Sequence, residues 1–194
     1  MPISTHACAT ADDYLQIAVD SASSSQRSQI LDAIPVPIYV TNAVGLVIAC
    51  NAACAQFAGR DPQVGKDRWC VTWRMYTTSG DPLPHEQCPM ADAIRLQRPI
   101  RDAIAIAMRP DGTRVAFRPY PTPLFDGAGE LTGAVNMLID VSNEQAPALA
   151  DQADRCRRLS RATNDREVTL MLKSMAEGYD DTAAALRSNQ ARSG

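Results

Sequence analysis

One of the chain's two histidines stands three residues before one of its six cysteines, in HEQCPM, His85 to Met90. Imidazole and thiolate both ligate haem iron, so His85 and Cys88 are the first residues to test for chemistry. The competing reading is structural. Pro89 occupies a position that the first helical turn tolerates, Cys88 packs as a small apolar residue, and His85 sits solvated in a loop.

The other cysteines offer a second chemistry. Cys50, Cys54, Cys70 and Cys88 together could supply a four-thiolate zinc site, but structural zinc sites usually show two tight pairs. Here there is one loose pair and two single residues, so reduced thiols and no metal are expected. No GxSxG, P-loop, HExxH or glycine-rich dinucleotide pattern occurs, and a non-enzymatic chain is expected. Arg155, Arg157, Arg158 and Arg161 form a basic cluster, but Asp151, Asp154, Asp165 and Glu167 dilute it. With a net charge of -3, this argues against a nucleic-acid surface, and a DNA-contacting transcription regulator working through these arginines is kept as an alternative. No basic, apolar leader opens the chain, and no run approaches the roughly 18 apolar residues of a membrane span. A cytoplasmic protein without membrane contact is the expectation.

Turn and periodicity signals divide the chain into three parts. Residues 1–26 give a short amphipathic helix, with Tyr14, Leu15 and Val19 on one side, and the linker SASSSQ. Residues 27–144 are dense in glycine and proline. They suggest strands over 37–40 and 46–50, with Asn51 as N-cap of a helix over 52–58 that Gly59 ends. An irregular stretch over 60–86 leads to a helix over 90–96, then to strands over 103–108, 113–120 and 131–141. Residues 145–194 give a helix over 148–162, a break at Thr163–Asp165, and a second helix.

The middle part resembles the PAS domain family. The residues that carry the resemblance are ILDAIPVPIYVTN, VIACNAACAQFAG, the hairpin MRPDGTRV, and PTPLFDGAGELTGAVNMLIDVS, which closes on Asp140-Val141-Ser142. The resemblance implies an α+β fold, a five-stranded antiparallel PAS-like sheet flanked by short helices. To it the sequence adds an N-terminal helix and a C-terminal helical hairpin. It also implies a sensor or interaction module. Flavin-binding members with a reactive thiol carry Gly-x-Asn-Cys-Arg-Phe-Leu-Gln; here Arg68 stands at the cysteine's place in Gly65-Lys66-Asp67-Arg68-Trp69-Cys70, which argues against that photochemistry. Haem-binding members usually supply a histidine from the helix after the irregular stretch. Residues 90–96 contain none, so colourless protein is expected and haem through His85 or Cys88 is the alternative.

Strand alternation sorts the sheet's two faces. Ala103, Ala105 and Ala107 share one face with Phe117, Asn136 and Leu138. Small side chains there leave room for a small organic ligand, with Asn136 as a polar handle. Ile104, Ile106, Met108, Val135, Met137 and Ile139 make the other face, on two strands expected to be neighbours. Exposed, that patch would exceed what monomers usually show. The C-terminal stripe of Val168, Met171, Met175 and Tyr179 also needs a surface to pack on. A homodimer joined through the sheet face or the terminal helices is therefore expected, with a signalling protein as further partner.

Overall fold

The computed structural model of the chain describes residues 31–193, with side chains through residue 188. The N-terminal helix and serine-rich linker expected over 1–26 lie outside the described residues. Seven strands, β1 (Ile38–Asn42), β2 (Val47–Cys50), β3 (Arg74–Tyr76), β4 (Ala105–Met108), β5 (Arg114–Pro119), β6 (Thr122–Phe125) and β7 (Leu131–Asp140), form one antiparallel sheet in the order β2-β1-β7-β5-β4-β3. Strand β6 pairs with the same β7 that pairs with β5. The five expected strands are present. Strand β6 resumes the line of β5 after Pro121, which has no N–H to give the ladder. Strand β3 is a three-residue edge within the stretch expected to be irregular.

Helix α1 (Ala52–Ala58) ends at Gly59, whose φ of 64° needs a residue without a Cβ penalty. Asn51 stands at its N-cap but does not cap it. Its side chain accepts from the Ile38 N–H and donates to the carbonyls of Leu31, Ile34 and Val36. Asp32 accepts from the Ala52 N–H instead. Asn51 thus pins residues 31–38 beside β2, a long-range task that local propensity does not reveal. Helix α2 (Pro89–Leu96) begins on Pro89 and buries Met90, Ala91, Ala93 and Ile94 against the sheet.

The last two helices, α3 (Ser142–Ala162) and α4 (Arg166–Ser193), make an antiparallel hairpin. Helix α3 begins six residues before the expected Ala148 and carries Pro147 within it. The motif at the end of β7 sets that start. Asp140 Oδ1 accepts from the Ser142 N–H, the Val141 N–H donates to the Ala116 carbonyl, and the Ala116 N–H donates to Ser142 Oγ. The helix is therefore tied to β5 from its first residue.

Four clusters hold the described residues together, one of them within the hairpin. The inner cluster lies between the sheet and α1, α2 and the 60–73 segment, and includes Tyr39, Phe57, Met90, Phe117 and Leu138. On the outer face, Ile106 and Ala116 pack with Val141, Ala146, Leu149, Ala183 and Leu186, so the chain's own hairpin covers that half. Val135 belongs to a separate outer cluster with Leu31, Ile38, Val40 and Leu124. This corrects the expected patch. Strand β5 lies between β4 and β7, so the six residues are split. Ile106 is buried, Ile104 and Ile139 pack at the hairpin's edge, and Met108 and Met137 are half-buried. The sequence shows that this face is apolar but not which segment covers it.

Helix α4 comes close enough to the β3 side for a Cβ on Gly178 to lie 2.5 Å from the Ser79 carbonyl oxygen. Within the hairpin, Met175 and Tyr179 pack against Ala153, Cys156 and Ala176. Val168 and Met171, expected to lie on the same packed stripe, are exposed near the α3–α4 turn with Leu159 and Leu170. Among the described residues no helix is long and apolar enough to cross a membrane.

Candidate functional site

The residues of the expected inner pocket lie within the core. Ala105, Ala107, Phe117 and Leu138 are buried in the inner cluster, where Phe57 meets Phe117 edge to face at 5.4 Å between ring centroids. Ala103 is half-buried and precedes β4. The polar handle is already used. Asn136 Oδ1 accepts from the Tyr120 N–H at 2.9 Å, and its amide donates to the Tyr39 hydroxyl at 3.0 Å. That hydroxyl donates to the Trp69 carbonyl at 2.9 Å. The chain Tyr120–Asn136–Tyr39–Trp69 satisfies polar groups that would be costly to bury alone. It binds the 60–73 segment to the centre of the sheet, where a polar handle for a ligand was expected.

His85 and Cys88 are close in sequence but differ in environment. His85 opens a single 3₁₀ turn (His85–Gln87) and is half-buried rather than solvated in a loop. Its Nε2 lies 3.1 Å from the Thr72 carbonyl and 3.3 Å from the Thr72 hydroxyl. Burial lowers its pKa. Cys88 is buried at the start of α2, its Sγ directed at the Trp69 carbonyl. Burial and the nearby Cys70 push its thiol up to about 12, and burial raises Cys54 as well. A thiolate ligand for haem requires the charged form that this packing disfavours. The described cysteines are free thiols, and among the described residues no group of three or more His, Cys, Asp or Glu is placed to hold a metal ion.

These thiols set an expected result. In native protein at neutral pH, Cys54 and Cys88 should resist iodoacetamide and react only on unfolding, read by peptide mass spectrometry. Rapid native labelling of Cys88 would contradict its packing. The sign with pH follows from the raised values. The unfolded chain loses these protons first, so their contribution is intact below the unfolded thiol pKa, about 8.5, and is lost as pH rises above it.

The more notable geometry is a groove on the far side of the 60–73 segment, with a cavity of about 650 Å3 lined in part by Arg60, Lys66, Arg68, Trp69, Trp73 and His85. Neither tryptophan is among the expected site residues. The groove's signal was present, since both tryptophans of the chain stand among basic residues in KDRWCVTWR, Lys66 to Arg74. Trp69 adopts φ 67° and its ring lies over Gly45, where a Cβ would come within 2.2 Å of it. Arg60 pairs with Asp67 at 2.6 Å, while its buried Nε has no partner. Arg68 lies against the Trp69 ring at 5.6 Å and donates to the Val44 carbonyl. A second cavity of about 230 Å3, bounded by Met75, Tyr76, Pro82, Leu83 and Pro84, shares Trp73 and His85 with the first.

The arginine cluster of α3 is partly neutralised. Arg157 pairs with Asp154 and Asp180, while Arg155, Arg158 and Arg161 are exposed.

A sheet in this order, with short helices on its inner face, defines a PAS-like architecture. The family model described as PAS fold matches residues 31–146, and the chain belongs to that family. It is a family of sensor and signal-transduction modules. No curated protein matches the chain. Among solved structures, the PAS domain of Bordetella pertussis BvgS is 22% identical, covering 59% of this chain and 81% of its own, with a TM-score of 0.40. The Rhodobacter sphaeroides LOV protein is 13% identical, covering 84% of this chain and 93% of its own, with a TM-score of 0.48. The PAS domain of the fruit-fly ELK potassium channel is 11% identical, covering 62% and 98%, with a TM-score of 0.48.

Proposed function

We propose that the chain is a non-enzymatic sensor and relay module that homodimerises through its C-terminal hairpin, meets a signalling partner, and is biased by a small ligand. The observation that carries this reading is the division of the hairpin. Its lower half shares one core with the outer face of the sheet, through Ile106, Ala116, Leu149, Ala183 and Leu186. Its upper end leaves Leu159, Val168, Leu170 and Met171 between 37% and 59% exposed. An apolar end on a helix pair anchored to a sensor sheet suits a four-helix contact with a second copy. The tie from Ser142 to β5 gives a change in the sheet a direct mechanical route to the helices.

The test is size-exclusion chromatography with light scattering on the full chain and on Met171→Asp. The substitution leaves the intrachain core intact because Met171 is exposed, yet it would place an unpaired charge in the contact. The expected result is a dimer that becomes monomeric with unchanged circular dichroism. A Met171→Asp dimer of undiminished affinity would place the contact elsewhere.

The haem alternative has less support, because Cys88 is buried with its proton held and His85 is occupied by Thr72. The nucleic-acid alternative rests on the exposed α3 arginines alone.

A further inference from the structure

We propose that the paired cavities along the 66–86 surface form a binding site for a small amphipathic carboxylate with a planar apolar body. The proposal rests on reading the chain as a ligand-biased module and places the ligand in this groove rather than on the inner face of the sheet. Two chemistries adjoin there, in neighbouring cavities whose linings share Trp73 and His85. At one end Lys66 and Arg68 are exposed, and neither pairs with a carboxylate among the described salt bridges. Of the two acids in the lining, Asp67 is engaged by Arg60, and Glu86 is exposed at the rim. The unpartnered Arg60 Nε lies beside the same wall. At the other end Met75, Tyr76, Pro82, Leu83 and Pro84 offer apolar surface beside Arg74, whose guanidinium lies over the Trp73 ring at 4.4 Å.

The two ends join at Trp73, which is 39% exposed, and at His85. The part of the Trp73 indole that Arg74 leaves exposed suits a planar ring, and the guanidinium and ammonium groups suit an anionic head. A simple inorganic anion would leave the apolar half unused. A neutral apolar molecule would bring no carboxylate to Lys66 and Arg68. The carboxylate class uses both.

Both tryptophans of the chain line the larger cavity, and Trp73 lines the smaller one too, so the Trp73 indole N–H reports on this site while Trp69 also senses the inner core against which it packs. The experiment titrates 1-naphthylacetate into the 15N-labelled full chain, beside its neutral amide, 1-naphthylacetamide. The expected result is saturable movement of both indole signals, with one probe per chain. The amide and the Lys66→Gln, Arg68→Gln double variant should each bind at least about tenfold more weakly, since each removes a charge-assisted contact. Absence of saturation at millimolar probe would overturn the proposal, as would equal binding of the amide. Sedimentation of the same samples reads the oligomeric state separately. A dimer without probe binding sinks this site alone, and probe binding to a monomer sinks the hairpin contact alone.

Discussion

Replacing Leu186 by Asp should lower the stability of the full chain by about 3–5 kcal/mol, the range for a charge buried without a partner. Leu186 is fully buried on α4 against Ile106, Ala116 and Leu149. Burying a leucine contributes about 1.5–3 kcal/mol, which the substitution also forfeits. A protein of this size loses about 2–4 °C in Tm for each kcal/mol, so calorimetry should show a fall of about 6–20 °C. Val64→Asp is the control, because Val64 is 52% exposed and should change stability by less than about 0.5 kcal/mol. A Leu186→Asp protein as stable as the control would mean that the hairpin does not rest on the sheet.

Gly133→Ala should be comparably damaging for a different reason. Gly133 pairs with Asn42 of β1 and Leu124 of β6, and an ideal Cβ there would lie 1.9 Å from the Thr41 carbonyl oxygen. The obstacle is backbone, so no rotamer relieves it. Either β1 moves away from β7 or the pairing breaks at the centre of the sheet. A cost of about 3 kcal/mol or more is expected, measured as a lower urea midpoint at unchanged slope. Gly127→Ala, which meets nothing within 4 Å, should leave the midpoint in place. A harmless Gly133→Ala would contradict the β1–β7 register.

The sequence made some elements legible and hid others, for physical reasons. Gly59, Pro89 and the PDG turn act on their immediate neighbours, so the helix ends and the β4–β5 hairpin could be read locally. The alternation of Ala105 and Ala107 with Ile106 gave the correct two faces. What covers each face depends on contacts between segments far apart in the chain. The outer face is capped by Ala183 and Leu186, more than 70 residues after Ile106. Residue type suggests a helix cap for Asn51 and a ligand handle for Asn136. Both side chains bond groups far away in sequence, which spacing does not encode. The groove was missed because its tryptophans and cations lie in a stretch without periodicity, where pattern reading assigns only a loop.

The central claim is that the chain works as a pair joined by hairpins anchored to the sensor sheet. Sedimentation velocity on the unmodified full chain, from about 1 to about 100 μM, tests it most directly, since self-association depends on concentration. The account predicts a dimer that dissociates only toward the dilute end of that range. A monomer throughout would contradict it.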